Sequence, residues 1–385
     1  MSPEASTKGN ICILAWRDLW HPEAGGAERY ITSLSEALVA RGYSVTILTG
    51  RYPQAATDQK HNGVTYIRRG GRYSIYLKLP LYYLFKLKES TNLLIESFNA
   101  FPFWIPLYER KRLAIIYHLQ SVEWAAEIGR LLGGLMKQFL SVFFPFIYRK
   151  TPIITISTSS QKSILHAGFH PSFIEIVPPG TDLPISTDIT KPNDTVNLFS
   201  VGRIKKTKHI DKALHLIRHT LDQKPTTNIH LNIAGKGDYL EPLKELVQKL
   251  SLEKYVTFLG YISEEEKIEY LKKSHLHIQF STLEGWGITT IEAATQATPT
   301  VCLDVPGLRD SVTPNTGYIA KEDGSNLSEV WLQSIEDART QNETYRSKQT
   351  FGLTWASKFT TPYQTTRLCD IISEHFFAPE HTGLP

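Results

Sequence analysis

Short apolar runs alternate with amphipathic segments along most of this chain. In the first part, ICILAW (11–16) and YSVTILTG (43–50) have the length of buried strands, and between them Ile31, Leu34 and Leu38 recur at helical spacing. Further strand-like runs follow at NLLIES (92–97), RLAIIYH (112–118), PIITIS (152–157) and FIEIVP (173–178). Strands that alternate with helices predict a parallel, doubly wound α/β domain.

The alternation stops at residues 178–197 and then starts again. This segment is rich in Pro, Thr and Asp and has no periodicity, so we predict a domain linker there. After it come the apolar runs VNLFSVG, NIHLNIAG, YVTFLG, LHIQF and PTVCLD, with helical segments between them. One of those helices is predicted to begin with a capping box formed by Ser263 and Glu266. A length of 385 residues also favours two domains, which we place at 1–183 and 195–358.

The composition is that of a soluble globular protein, with 41% hydrophobic and 21% charged residues. Cys12, Cys302 and Cys369 form neither a CxxC pair nor an even set, and the first two lie in strand-like runs. This pattern predicts a reducing, cytoplasmic environment. The longest apolar run, 139–148, is shorter than the roughly 20 residues that a membrane-spanning helix needs.

The loops that follow the strands are where ligands of open α/β sheets bind. AGGAE places Gly25 and Gly26 at the start of a helix, where backbone N–H groups and the helix dipole favour an anion. A dinucleotide site is the alternative, but the spacing is not GxGxxG and the second strand ends in Thr49-Gly50, without the acid that would bind a ribose. We therefore predict a phosphate contact.

A second loop, GRIKKTKH (202–209), carries Arg203 and Lys208 into a helix start. Cations beside backbone donors suit a diphosphate. For Lys205 and Lys206, ordinary solvated charge is the alternative.

A third loop lies within EGWGITTIEA (284–293), where two acids stand eight positions apart. Gly285 and Gly287 let the backbone approach a ligand. Because a carboxylate accepts hydrogen bonds from vicinal hydroxyls, Glu284 and Glu292 are candidates for binding sugar or ribose diols. A solvated helix face would explain the spacing alone, but strand-like runs on both sides favour a ligand site.

Five blocks together resemble the retaining glycosyltransferases of family 4: AGGAE, VGRIKKTK, IAGKGD, VTFLGYIS and EGWGITTIEAATQATPTV. The last block, an E-x7-E motif, is the most specific. The resemblance implies the GT-B fold, an α/β architecture of two doubly wound Rossmann-like domains facing across a cleft. It also implies a C-terminal helix, at about 366–385, that crosses back to the first domain.

The implied reaction moves a sugar, with retention, from a UDP- or GDP-linked donor to a hydroxyl of a glycan or glycolipid acceptor. We expect no metal, no other cofactor and no nucleic acid partner; the chain contains no DxD motif. A nucleotide-sugar 2-epimerase of the same architecture and a non-catalytic nucleotide-sugar-binding protein are the alternatives. The E-x7-E block together with GRxxxxK favours the transferase.

The resemblance also assigns roles to single residues. Gly25 and Gly26 would meet the donor phosphates, while Arg203 and Lys208, in the loop that starts at Gly202, would neutralise the diphosphate. Glu284 would bind hydroxyls of the donor sugar. Its helpers would be the backbone N–H groups of Gly285, Trp286, Gly287 and Ile288.

Four other positions complete the implied donor site. Glu292 would bind the ribose diol of the nucleotide, and Gly235 and Tyr261 would line the base. His118 matches a histidine that contacts the donor sugar, although a structural histidine at a strand end is the alternative.

The stretch 68–89 carries six cations and one acid, with tyrosines and leucines between them. A second stretch, 130–150, is apolar with basic ends. Such composition suits peripheral contact with an anionic membrane on its cytoplasmic face. Packing of these aromatic residues into the first domain is the alternative.

Overall fold

The chain folds around two separate parallel sheets. The computed structural model describes residues 7–98, 101–119, 142–192 and 194–378. One unit comprises Met1–Pro179 with Thr361–Pro385, and the other comprises Gly180–Thr360.

The first unit contains an eight-stranded sheet of order β3-β4-β2-β1-β5-β6-β7-β8. Its strands are β1 Asn10–Ala15, β2 Ser44–Thr49, β3 Asp58–His61, β4 Val64–Arg68, β5 Leu93–Phe98, β6 Arg112–Ile116, β7 Ile153–Thr155 and β8 Ile174–Ile176. All neighbours are parallel except β3 and β4, which form a hairpin. We did not predict this hairpin, although its turn, Asn62-Gly63, with both φ angles positive, is a known hairpin signal.

Helices cover the sheet of the first unit at Gly26–Ala40, Ile75–Tyr82, Thr158–His166 and Thr361–Ile372. The predicted apolar face of the first of these helices, Ile31, Leu34 and Leu38, is buried. The last helix packs on the same unit, where Asp370 accepts a hydrogen bond from Arg41 at 2.6 Å. The chain therefore returns to its first unit, as the resemblance implied.

The second unit contains six parallel strands in the order β11-β10-β9-β12-β13-β14. They are β9 Val196–Val201, β10 Ile229–Ala234, β11 Val256–Gly260, β12 Leu276–Gln279, β13 Thr300–Leu303 and β14 Gly317–Ala320. The helices are Ile210–Gln223, Leu240–Lys249, Glu264–Lys273, Ile288–Thr295, Leu308–Ser311, Leu327–Thr340 and Glu343–Ala356. The strand order reverses between β9 and β12, which is the topological switch point where such sheets bind ligands.

Local signals in the second unit agree with the structure. The predicted capping box is present, since Ser263 Oγ accepts from the Glu266 N–H at 3.1 Å and Glu266 Oε2 accepts from the Ser263 N–H at 2.7 Å.

The proline-rich segment before β9 is anchored by Lys191. Its buried ammonium donates to the carbonyls of Lys272 and Gln296, at 2.9 and 3.0 Å. Burial lowers the pKa of Lys191 to about 7.

The stretch 68–89 has two faces. The sequence suggested that Arg68 is a surface cation, and this was wrong: Arg68 is fully buried. Its Nε donates a hydrogen bond to Asp18 Oδ2 at 2.5 Å. From residue 75 to residue 83, one face packs into the core: Ile75, Leu79 and Tyr83 have no exposed area. The opposite face exposes Tyr73, Leu77, Leu81 and Phe85.

The second basic and apolar stretch, 130–150, lies outside the described residues up to position 141. In its described part, Val142, Phe143 and Phe146 are exposed. Within the described ranges, no helix combines the length and the apolar character that crossing a bilayer requires.

We predict that Arg68→Met lowers the free energy of unfolding by about 3–5 kcal/mol, because it leaves the carboxylate of Asp18 buried without its cation. The neighbouring Arg69 provides a matched control. It pairs with Asp58 at 2.7 Å, but the Asp58 side chain is 59% exposed, so Arg69→Met is expected to cost less than about 1 kcal/mol. Urea unfolding of both variants measures the difference, and equal losses would contradict the prediction.

Candidate functional site

Two loops of the second unit meet at the switch point and bring three polar side chains together. Lys208 lies after β9, and Glu284 lies after β12. Glu284 Oε1 forms an ion pair with Lys208 Nζ and accepts a hydrogen bond from Gln279 Nε2 at 2.7 Å. The Glu284 side chain is 16% exposed, so this carboxylate is held by two donors while part of it still reaches solvent.

The charge of Lys208 also acts on the neighbouring strand β12. His277 in β12 is fully buried, and its Nδ1 lies 3.2 Å from Thr300 Oγ1. Burial lowers the pKa of His277 to about 3, and the nearby Lys208 adds to this effect. The imidazole is therefore neutral at pH 7, and Lys208 supplies the positive charge near Glu284.

The loop 202–209 is packed backbone against backbone on the loop after β10. The Gly202 N–H donates to the Ala234 carbonyl at 3.0 Å, and the Ile204 N–H donates to the Lys236 carbonyl at 2.9 Å. A Cβ on Gly235 would lie 1.8 Å from the Gly202 oxygen. Gly235 thus allows the two loops to approach, in addition to the role near the base that we predicted for it.

The loop that carries Glu284 depends on a similar close approach. Gly287 has φ +85° and begins the helix Ile288–Thr295. A Cβ on Gly307 would lie 2.2 Å from the carbonyl oxygen of Glu284. Glycine at position 307 therefore allows its backbone to approach the backbone of Glu284 this closely. The contact helps to fix the position from which the Glu284 side chain extends.

Trp286, in the middle of that loop, is anchored by its side chain. The residue is 5% exposed, and its ring lies 5.0 Å, centroid to centroid, from the ring of Phe359, which in turn is 5.0 Å from the ring of Trp355. The side chain therefore stabilises the loop. A contact between Trp286 and a ligand would have to come from its backbone, as we predicted for residues 285–288.

Glu292 lies on the helix Ile288–Thr295 and is nearly buried, with 7% of its side chain exposed. Its Oε1 accepts from Lys267 Nζ at 2.9 Å, and the Lys267 side chain is 9% exposed. The same ammonium lies 2.7 Å from Glu264 Oε2.

Tyr261 and Gly235 lie at the carboxyl ends of the neighbouring strands β11 and β10. The Gly235 N–H donates to the carbonyl of Gly260 at 2.6 Å, which joins the two strand ends. Tyr261 is 77% exposed, with Lys236 Nζ 5.9 Å from its ring. An exposed ring at this edge is available to stack on a ligand. Arg203 is also exposed, in the loop after β9.

In the first unit, the loop after β1 carries the paired glycines. The Gly25 N–H donates to Glu28 Oε2 at 2.7 Å, and Gly26 begins the helix Gly26–Ala40. The same loop is fixed by Asp18, which binds Arg68 and accepts the Trp20 N–H at 3.1 Å. Glu28 therefore occupies one of the two N–H groups that we predicted for an anion.

His118 lies two residues after β6 and is half-buried. The donor contact that the resemblance implied for it stays a prediction.

Sequence reasoning missed Gln279, Lys267 and Gly307. Gln279 gives a weak signal, because it is a polar residue at the carboxyl end of a fully buried strand. Lys267 gives none, since it is separated from Glu292 by 25 positions. Among the described residues, no group of three or more His, Cys, Asp or Glu side chains is placed to hold a metal ion.

The arrangement offers two fixed carboxylates, each held by a lysine. A carboxylate oxygen held in this way retains acceptor capacity for ligand hydroxyls. Lys208 and the exposed Arg203 add positive charge at the same sheet edge, which suits an anionic group on that ligand.

Two family models together match residues 24–349 of the chain. The model "Glycosyltransferase Family 4" matches residues 24–184, and the model "Glycosyl transferases group 1" matches residues 184–349. A similar protein is a component of the human phosphatidylinositol N-acetylglucosaminyltransferase, which is 24% identical over 347 residues. That alignment covers 85% of this chain and 68% of the relative.

Solved structures of low sequence identity share the fold. Sucrose-phosphate synthase from Thermosynechococcus elongatus superposes with a TM-score of 0.77 at 20% identity, covering 96% of this chain and 100% of the other. Anabaena HepE, solved in complex with UDP and glucose, gives a TM-score of 0.66 at 15% identity, covering 95% and 100%.

We predict that Gly307→Ala destabilises the protein more than a glycine replacement in open space does. Gly324 is the control, because its φ is also positive, +73°, but a Cβ there meets nothing within 4 Å. Gly324→Ala is expected to cost about 1–2 kcal/mol of backbone strain. Gly307→Ala should cost about 1–3 kcal/mol more, since the loop must move away from the new methyl group. Chemical denaturation of both variants gives the comparison, and equal costs would be inconsistent with a tight contact at Glu284.

Proposed function

Because this chain belongs to glycosyltransferase family 4 and has the GT-B fold, we propose that it is an enzyme that moves a sugar from a nucleotide-diphosphate sugar to a hydroxyl of a glycan or glycolipid. The observation that carries the proposal is the Glu284 carboxylate, held by Lys208 and Gln279 at the switch point. A carboxylate for hydroxyls beside a cation for phosphate is what such a donor requires.

A solved structure and a sequence relative support the choice of nucleotide and of acceptor class. HepE was solved with UDP and glucose, so a UDP sugar is the first donor to test, with a GDP sugar as the second. The human relative bears the name of a transferase acting on phosphatidylinositol, which supports a glycolipid as acceptor class.

We propose retention of configuration without a metal ion. The bond between the anomeric carbon and the diphosphate breaks, and the acceptor oxygen attacks the same face. The leaving phosphate oxygen takes the acceptor proton, so no protein nucleophile is needed. Negative charge develops on the departing diphosphate, and the cations of Arg203 and Lys208 stabilise it.

In this proposal, Glu284 and Glu292 bind different parts of the donor. Glu284 binds hydroxyls of the sugar, with the backbone N–H groups of residues 285–288. Glu292 binds the ribose diol, and Tyr261 stacks near the base. The donor contacts that the resemblance implied for His118, Gly25 and Gly26 stay predictions.

A panel of nucleoside diphosphates and their sugars, read by thermal shift and by turnover in EDTA, tests the proposal. A ligand at 100 times its Kd should raise the free energy of unfolding by about 2.7 kcal/mol.

Glu292→Ala should weaken binding of the free nucleotide by about 1.5–3 kcal/mol, because it removes hydrogen bonds to a charged group. Glu284→Ala should spare free nucleotide binding and impair sugar transfer.

Other outcomes point to other functions. Unchanged nucleotide affinity in Glu292→Ala would remove its ribose assignment. Loss of activity in EDTA would contradict the metal-independent mechanism. An epimerised donor sugar would favour a 2-epimerase, and binding without turnover, when acceptors are supplied, would favour a non-catalytic sensor.

We also propose that the exposed face of 73–85 contacts an anionic lipid surface. Tyr73, Leu77, Leu81 and Phe85 recur every four residues and are 71%, 65%, 41% and 78% exposed. Lys78 and Lys86 are exposed on the same segment. Apolar side chains between lysines suit the boundary of headgroups and acyl chains, where each cation contributes about 1 kcal/mol.

Sedimentation with vesicles tests this lipid contact. The protein should sediment with phosphatidylglycerol vesicles at low salt, be released by high salt, and stay in solution with phosphatidylcholine alone. Leu77→Ser should reduce binding, whereas Leu165→Ser should not, because Leu165 is exposed on a different helix, Thr158–His166. No binding to anionic vesicles at low salt would point to a soluble acceptor.

A further inference from the structure

One lysine of the helix Glu264–Lys273 lies on its buried face, although lysine side chains are mostly exposed to solvent. Lys272 and Lys273 are 46% and 70% exposed and lie near Glu269, whereas the Lys267 side chain is 9% exposed. Lys267 shares the buried face of the helix with Leu271, one turn later. A lysine on a buried face is costly unless its charge is compensated, so a specific partner is needed there.

That partner is Glu292. Lys267 Nζ lies 2.9 Å from Glu292 Oε1, and both side chains are less than a tenth exposed. The other carboxylate near this ammonium, Glu264, is 48% exposed and adds a surface contact at 2.7 Å. Removing either member of a buried pair leaves an uncompensated charge, which makes the two side chains depend on each other.

We propose that Lys267 is a positioning residue of the donor site: it holds one oxygen of Glu292 and so presents the other to the two ribose hydroxyls of the nucleotide. This inference rests on the proposed function, in which Glu292 binds that diol. Lys267 acts through Glu292 and makes no contact with the sugar that is transferred.

The role has a geometric reason. A glutamate side chain has three rotatable bonds, and each rotamer directs the carboxylate differently. An ammonium from a neighbouring helix selects the rotamer that brings Oε1 to it. The entropy of ordering the carboxylate is then lost on folding and need not be lost again when the nucleotide binds.

Nucleotide affinity in a set of variants tests the inference. The probe is UDP or GDP, whichever stabilises the wild-type protein, measured by calorimetry. Lys267→Met should weaken its binding by about tenfold or more, within the range of coupled neighbours. At saturating donor, kcat should change by less than about threefold, because the leaving group and the sugar contacts are intact. Lys273→Met, on the same helix, should leave both quantities unchanged.

A double-mutant cycle separates positioning from a direct contact. In a Glu292→Ala background the carboxylate and its acceptor oxygens are gone, so adding Lys267→Met should change affinity by less than about twofold. The same tenfold loss in that background would mean that Lys267 acts without Glu292, and would overturn the inference. Wild-type affinity in Lys267→Met, with a lowered melting temperature alone, would show a merely structural lysine and would also overturn it.

Two further results are decisive. If Lys267→Met does not fold, Lys267→Leu carries the same comparison, since it also removes both the charge and the donor. If the wild-type protein binds neither UDP nor GDP, the proposed function fails and this inference fails with it. If the wild type binds, Glu292→Ala binds more weakly, and Lys267→Met or Lys267→Leu binds as the wild type does, only this inference fails.

Discussion

The ion pair between Lys208 and Glu284 is the interaction on which the candidate site depends. It joins the loop after β9 to the loop after β12, the two strands between which the strand order of the second sheet reverses. Helices diverge from a sheet at such a point and leave room for a ligand. Because the Glu284 side chain is 16% exposed, the pair is shielded enough to fix both loops and open enough to meet a ligand.

Glycine makes the close approach of these loops possible. A Cβ on Gly235 would lie 1.8 Å from the oxygen of Gly202, and one on Gly307 would lie 2.2 Å from the oxygen of Glu284. The loops therefore pack by backbone contact, and the charged side chains project from a rigid base. The ring contact between Trp286 and Phe359 also stabilises the loop that carries Glu284.

Buried charged side chains form ion pairs in both units. Asp18 and Arg68 fix the loop after β1, and Lys267 and Glu292 join two helices of the second unit. Each pair places a functional segment against a neighbour that lies far away in the chain. Buried charges tolerate few geometries, since any displacement leaves a charge without its partner. Such pairs therefore restrict the positions of the segments that they join.

The sequence by itself determined the alternation of strands and helices, the loops that carry chemistry and the family, because these depend on local periodicity and on short motifs. It predicted the capping box at Ser263 and the loop from Glu284, yet it did not reveal the partners of Glu284 and Glu292. Lys208 is separated from Glu284 by 76 positions, and Lys267 from Glu292 by 25. It also left open which side of 68–89 is buried. Only the tertiary structure decided these points, because a contact between distant segments depends on strand order and helix packing, which no local pattern of residues encodes.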